Sequence, residues 1–109
     1  MPYDESAASR VRALLRRRSG YAEKKMFGGL CFLMHGNMCC GLTGGGLMLR
    51  LGADGAAEAL REPHTREMDF TGRPMKSMIF VEPDGYASGE ALKRWLGTAA
   101  TFASSLAPK

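Results

Sequence analysis

The amino-acid sequence predicts a single α+β domain in the order α-β-β-β-α-β-β-α, with a mostly antiparallel five-stranded sheet packed on helices. Apolar residues recur at helical spacing near both ends of the chain, whereas short apolar runs fill its middle. Tight turns rich in glycine separate those runs, and such turns join antiparallel strands. A length of 109 residues suits one domain, 1–109, that can bury a sizeable core.

The first half of the chain supplies one helix and three strands. Residues 4–18 predict a helix that the Ser19-Gly20 pair ends. The apolar side chains on its one face are Ala7, Ala8, Val11, Leu14 and Leu15. The three strands are predicted at Leu30–Met34, Met38–Leu42 and Leu47–Leu51. Residues 35–38 and 43–46 form the turns between them, because glycine and asparagine tolerate positive φ.

The second half supplies two helices and two strands. Asp54 can cap a short helix from about Gly55 to Arg61. Strands are predicted at Met68–Phe70 and Lys76–Val81, with a turn at 71–74 between them. Ser88 caps the last helix, whose apolar stripe is Leu92, Trp95, Leu96, Ala99, Phe102, Ala103 and Leu106.

All three cysteines lie between Met26 and Leu51. The turn between Cys31 and Cys39 determines which face of the sheet each cysteine side chain occupies. If that turn consists of Gly36 and Asn37, Cys31 and Cys40 share a face of the sheet but lie diagonally, about 7 Å apart. That separation is too large for an unstrained disulfide. Cys39 and Cys40 then point to opposite faces.

Metal and phosphate sites are poorly supported. A closed zinc site needs four converging ligands, whereas the sequence has two histidines and no Cys-x-x-Cys pair. The glycines at 44–46 separate two strands, whereas a phosphate loop leads into a helix. Gly28 and Gly29 precede a strand, where a bulge or close backbone approach is the expected cause. We therefore expect free thiols that serve as small apolar core residues, without metal or cofactor.

A catalytic set is equally thin. His35 lies at a turn and His64 lies beside Pro63. The only local candidate for a nucleophile and its base is one of the cysteines paired with His35, and no third group is present to orient that pair. We expect no enzyme and no catalytic residue, with a small thiol enzyme of unknown substrate as a remaining alternative.

Because the net charge is +4, nucleic-acid binding is a second alternative function. The candidate contacts are Arg10, Arg12, Arg16, Arg17, Arg18, Lys24 and Lys25. On a helical wheel Arg10 and Arg17 lie on one flank of the apolar face and Arg12 and Arg16 on the other, so they bracket that face and do not form one stripe. Solvated charge is therefore favoured, and we expect weak, nonspecific binding at most.

The start of the chain, MPYDESAASR, has no apolar signal core, and no apolar run approaches the ~20 residues of a membrane span. The odd number of cysteines also fits reduced thiols. These features predict a cytoplasmic protein that does not contact a membrane.

Three motifs resemble the TfoX N-terminal domain family. They are Met26-Phe27-Gly28-Gly29, Gly36-Asn37-Met38 and Gly72-Arg73-Pro74-Met75, and the likeness extends over about Arg10 to Leu106. The resemblance implies an α+β domain with these motifs in structural roles, and kinship with TfoX/Sxy regulators of natural competence. Those regulators carry a second, C-terminal helical domain, and the resemblance supplies no catalytic residue.

The expected function is therefore that of a non-enzymatic regulatory or adaptor domain. It would act through a protein partner, such as one in the transcription apparatus, in transcription or DNA uptake.

A homodimer is also expected. The predicted strands at 30–34, 38–42 and 78–81 are apolar at nearly every position, so both faces of the sheet are apolar. The long terminal helices can cover one face, while the short middle helix can hardly cover the other. A two-fold partner would shield it from water. The alternative is that the terminal helices divide between the two faces.

Overall fold

The computed structural model describes residues 4–26, 28–70 and 73–107. Its helices are α1 (Glu5–Leu15), α2 (Gly52–Ala59) and α3 (Gly89–Ser105). Its strands are β1 (Tyr21–Met26), β2 (Gly29–Met34), β3 (Asn37–Thr43), β4 (Gly46–Arg50), β5 (Thr65–Phe70) and β6 (Arg73–Val81). A 3₁₀ turn, Pro83–Gly85, leads from β6 towards α3. Phe27 and Gly72 of the family motifs lie outside the described residues.

The strands form one antiparallel sheet in the order β1-β2-β3-β4-β6-β5. The predicted α+β class with an antiparallel sheet is confirmed, whereas the predicted count of five strands is wrong. The strand that was missed is β1, whose sequence YAEKKM is half charged. An edge strand tolerates such charges because one side of it has no neighbouring strand, and lysines there hinder pairing with another chain.

Several boundaries also differ from the predicted ones. Helix α1 ends at Leu15, and Arg18 closes a turn by donating its backbone N–H to the Leu15 carbonyl at 2.9 Å. Helix α2 begins at Gly52, so Asp54 lies in its first turn and does not cap it. Ser88 does cap α3, since its hydroxyl accepts the Ala91 N–H at 3.1 Å.

The turn between β2 and β3 differs from the predicted Gly36-Asn37 turn. Met34 pairs with Asn37, so the two turn residues are His35 and Gly36, with φ of 52° and 84°. Positive φ at both positions defines the type I′ turn that matches the twist of a hairpin. The register then shifts, because Leu33 pairs with Met38 and Phe32 pairs with Cys40. Cys39 is the extra residue of this β-bulge.

All three helices pack on one face of the sheet, which we call the helix face. The buried side chains of the helices join those of the strands in one cluster. The predicted alternative, with terminal helices on opposite faces, is therefore wrong. Leu14, predicted on the apolar face of α1, is 37% exposed. The strand residues of this face include Leu30, Phe32, Met34, Leu42, Leu47, Leu49, Ile79 and Val81.

The opposite face of the sheet carries a separate and smaller cluster, which we call the sulfur face. It consists of Cys31, Met48, Met78 and Phe80, with Met38 packed against it. None of the buried helix residues belongs to it. Its four core members are nevertheless at most 5% exposed within a single chain. The expectation of a broad, water-exposed apolar patch therefore does not hold for these residues.

Candidate functional site

The three cysteines are free and buried, but the bulge changes their arrangement. Cys31 lies on the sulfur face and Cys40 lies on the helix face, so the two do not share a face as predicted. Cys39 and Cys40 both join the helix-face cluster, whereas simple alternation places them on opposite faces. A bulge brings two successive side chains to the same side, which explains the difference.

Their surroundings do not suit a thiol nucleophile. Burial raises the pKa of the Cys31 thiol. A hydrogen bond between the two neighbouring thiols lowers the pKa of Cys39, and together with burial it raises that of Cys40 well above its usual range. All three thiols have no solvent exposure. A substrate would therefore reach none of them without local opening of the core.

The two histidines occupy strained positions in separate turns. His35 and His64 have φ of 52° and 64°, in the left-handed region that residues other than glycine rarely adopt. The His35 ring fills the space where a Cβ at Gly20 would lie. The backbone of His64 accepts the Glu82 N–H at 2.8 Å. The His35 side chain therefore has a packing role in its turn, whereas only the backbone of His64 has a described contact.

The glycines of the first motif also have structural explanations. Gly28 has a φ of 73°, in a turn where Met26 pairs with Gly29. A Cβ at Gly29 would collide with the carbonyl oxygen of Leu42 in β3. The predicted close backbone approach is thus found at Gly29. The glycines at 44–46 lie in and beside the β3–β4 turn, between two strands.

The second motif ties β3 to the end of α3. Asn37 is 2% exposed, and its side-chain amide donates to the Ala107 carbonyl at 2.9 Å. Gly36 supplies the positive φ of the turn, and Met38 packs on the sulfur face. For the third motif, the backbone of Arg73, Pro74 and Met75 begins β6.

Two of the seven basic residues that were predicted to contact nucleic acid bind other parts of the chain. Arg10 donates to the carbonyls of Tyr86 and Ala87 at 2.9 and 3.1 Å, which joins α1 to the loop before α3. Arg12 forms a two-pronged ion pair with Glu23 at 2.9 and 3.0 Å, which joins α1 to β1.

The other five cations lie on the surface. Arg16, Arg17 and Arg18 follow the last turn of α1, and Lys24 and Lys25 lie on the edge strand. Successive residues of a strand point to opposite faces, so the two lysines do not share a surface. The five exposed cations therefore do not form one stripe.

Arg18 instead approaches α3 and lines a groove with it. The groove is open to solvent and holds about 690 Å³. Its lining is Arg18, Glu90, Lys93, Arg94, Gly97, Thr98 and Thr101. Sequence reasoning did not single out the α3 residues of this set. Their signal was a pair of cations and a glycine on the polar side of an amphipathic helix.

A family model described as the TfoX N-terminal domain matches residues 13–103, which is most of the chain. The chain belongs to the TfoX N-terminal domain family. Searches among curated proteins and among solved structures gave no match. In this TfoX N-terminal domain, Gly28 and Gly36 lie in hairpin turns, and Asn37 at the start of β3 holds the end of α3.

Two further findings concern the described residues of this TfoX N-terminal domain. They contain no group of three or more histidine, cysteine or acidic side chains placed to hold a metal ion. Within the same residues, no helix is both long enough and apolar enough to cross a membrane.

Proposed function

We propose that this domain is a non-enzymatic regulatory or adaptor module that acts through a protein partner in transcription or DNA uptake. Membership of the TfoX N-terminal domain family is the observation that carries the proposal. The burial of all three thiols supports it, because a thiol enzyme would need at least one of them within reach of a substrate. A cytoplasmic location is part of the same proposal.

Crosslinking in the native cell, followed by mass spectrometry of proteins joined to the tagged domain, tests this proposal. The expected result is a partner from transcription or DNA uptake that is absent when the tag alone is expressed. Rapid modification of a cysteine by a thiol reagent at neutral pH in the folded protein would instead support the thiol-enzyme alternative.

A second candidate function is weak, nonspecific binding of nucleic acid. The exposed cations that follow α1 favour it, since counterions released from phosphates drive such binding. Arg10 and Arg12 make contacts within the chain, so this candidate depends mainly on the other five cations. Charge reversal at both Arg16 and Arg17 should abolish any binding, whereas Arg61→Glu, at an exposed position in the turn after α2, should preserve it. Nanomolar, sequence-selective binding at physiological salt would contradict weak binding.

Homodimerisation is a separate proposal. Its support is that the buried residues of all three described helices lie on the helix face, so none of these helices covers the sulfur face. The burial of its core residues within one chain counts against it. Light scattering at micromolar concentration decides the matter. A mass near the 11.8 kDa of one chain would exclude the dimer, and twice that mass would support it.

A further inference from the structure

We propose that the groove between Arg18 and the outer side of α3 is the docking surface of the domain, and that its occupant is an acidic segment of a partner protein. This inference rests on the proposed adaptor function, and it adds the location of the surface and the chemistry of the partner. The argument draws on the shape of the groove floor, on its charges and on its length.

Gly97 sets the depth of the groove. It lies within the 17-residue helix α3, where glycine is about 1 kcal/mol less favourable than alanine. Apart from its chain neighbours and the backbone of its own helix, no described atom lies within 4 Å of the position that a Cβ at Gly97 would take, so packing against the rest of the described chain does not require glycine there. A missing side chain at this position keeps the floor low enough for the close approach of another chain.

The neighbouring threonines make the floor smooth and compact. The hydroxyl of Thr98 donates to the Arg94 carbonyl at 3.0 Å, and that of Thr101 donates to the Gly97 carbonyl at 2.9 Å. Their protons therefore point back at the helix backbone. The outward surface of these residues offers methyl groups and oxygen lone pairs, so positive charge must come from the rim.

The rim supplies cations in two different states. Arg94 is already held, because it forms a two-pronged ion pair with Glu62 at 2.7 and 3.0 Å and stacks 4.4 Å from the centre of the Trp95 ring. Arg18 and Lys93 are exposed, and neither forms an ion pair among the described residues. These two cations, from different elements, are the groups that can receive carboxylates from a partner.

The length and charge of the groove favour a protein over nucleic acid. Lys93 to Thr101 spans about 12 Å along the helix axis. One strand of duplex DNA would place about three or four phosphates over that distance. Two of the rim cations, Arg18 and Lys93, form no ion pair with a described residue, and Glu90 adds a negative charge to the lining. A protein segment can place its carboxylates where Arg18 and Lys93 lie and leave the rest of its surface uncharged.

Binding of a defined peptide tests the proposal. The probe is a fluorescein-labelled peptide of about 15 residues made of Glu, Ala and Leu, a length at which a helix becomes marginally stable in water. The comparison probes are the same peptide with Gln for every Glu, and an oligothymidine of similar length. Fluorescence anisotropy gives the affinities, and backbone amide chemical shifts of the labelled domain give the location.

We expect the Glu peptide to bind and to shift the amides of Arg18 and of residues 93–101, with a loss of affinity as salt rises. The Gln peptide should not bind. Gly97→Gln should weaken binding about tenfold or more, because the new side chain fills the floor, and Lys93→Glu should do so by charge repulsion. Gly97→Gln also replaces glycine by a better helix former, so the variant should fold at least as well as the natural chain.

The matched control is Ala57→Gln, which adds the same side chain to the exposed surface of α2 beside Asp54 and Glu58 and should leave binding unchanged. Failure of the Glu peptide to bind, or amide shifts outside the groove, would overturn the proposal. If oligothymidine bound more tightly than the Glu peptide and shifted the same amides, the occupant of the groove would be nucleic acid and not a protein. Concentration-dependent shifts of those amides without any peptide would identify a second copy of this chain as the occupant.

The outcome is separable from that of the adaptor function. If the Gly97→Gln domain still crosslinks to the same cellular partner as the natural domain, the partner exists and the groove is not its site. If the natural domain crosslinks to no partner, the adaptor function itself fails, whatever the peptide does.

Discussion

The helix face and the sulfur face belong to the same strands but are built differently. The helix face lies beneath α1, α2 and α3 and is filled mainly by branched aliphatic and aromatic side chains. Among the described side chains, the sulfur face has one aromatic ring, Phe80, and otherwise thiol and thioether groups. Arg66 covers that ring, with its guanidinium carbon 4.2 Å from the ring centre.

The comparison explains why the strands lack apolar–polar alternation. In β4, Leu47 and Leu49 point to the helix face while Met48 points to the sulfur face, and none of the three is exposed. Branched and aromatic side chains have few rotamers and suit a tightly fitted contact, whereas methionine is unbranched and fills irregular space. The helix face should therefore be the more rigid of the two, and substitutions can test this.

The largest loss of stability is expected for Phe32→Ala on the helix face. Phe32 is fully buried, and truncating a buried phenylalanine costs about 3–5 kcal/mol in lost transfer free energy and cavity formation. Urea unfolding followed by circular dichroism measures the change. Leu14→Ala is the control, because Leu14 is 37% exposed and should lose less than about 1 kcal/mol. A loss for Phe32→Ala as small as that of the control would refute a tightly packed helix face.

A smaller loss is expected for Met48→Ala on the sulfur face. The usual range for methionine is about 2–5 kcal/mol, and we expect the lower half because neighbouring thioethers can move into the gap. The terminal methyl carbon of Met48 lies against Gly41 and near the Cys31 sulfur, so the cavity would open there. Met48→Leu keeps the volume and should cost less than about 1.5 kcal/mol. Equal losses for Met48→Ala and Phe32→Ala would show that the two faces are equally rigid.

A loss of about 1–2 kcal/mol is expected for Asn37→Ala at one end of the helix face. The substitution removes the hydrogen bond from the buried amide to Ala107 and so frees the chain after α3. Amide hydrogen exchange should accelerate at the end of α3 and remain unchanged in α1. Asn37→Asp is a second test, because a carboxylate cannot donate this bond and buries a charge, so it should cost more than alanine. Unchanged exchange in both variants would mean that Asn37 does not anchor the helix end.

The sequence predicted secondary structure best where a short run of apolar residues determines it. Leu30–Met34 and Met78–Val81 are apolar runs, and they form strands as predicted. Strand β1 escaped prediction because its charges are typical of a surface loop as well as of a sheet edge. The turn was misplaced because Gly36-Asn37 is a good turn pair, but the structure uses Asn37 to hold Ala107 and strains His35 instead.

The bulge and the groove depend on contacts that local patterns do not contain. The bulge inserts Cys39 beside Cys40, and both thiols are small and apolar enough to share the core. The groove brings together Arg18 and Gly97, which are far apart in the chain. Sequence reasoning singled out the cations near α1, but it could not show that Arg10 and Arg12 make internal contacts while Arg18 lies beside α3.

The smallest predicted effect lies at the margin of the helix face, where Glu23 of β1 accepts hydrogen bonds from Arg12 of α1 and from the Tyr21 hydroxyl. These bonds, that of Arg12 above all, lower the pKa of Glu23 in the folded protein. A carboxyl group whose pKa falls on folding adds stability above its unfolded pKa of about 4.3. That stability is lost as the pH drops through the folded pKa.

Glu23→Gln should therefore destabilise the protein at pH 7, by less than about 1 kcal/mol because the ion pair is partly exposed. The difference between the natural and variant proteins should shrink as the pH falls below about 4.3, because the natural carboxyl group becomes protonated there. Urea midpoints across this pH range measure the effect. Glu58→Gln, at an exposed position on α2 with no ion pair among the described residues, is the matched control and should show no such convergence. A constant difference across the whole pH range would mean that the Glu23 contacts stabilise the margin by packing and not by charge. Packing would then hold the edge strand as well, and the contrast between a rigid helix face and an adaptable sulfur face would include that strand.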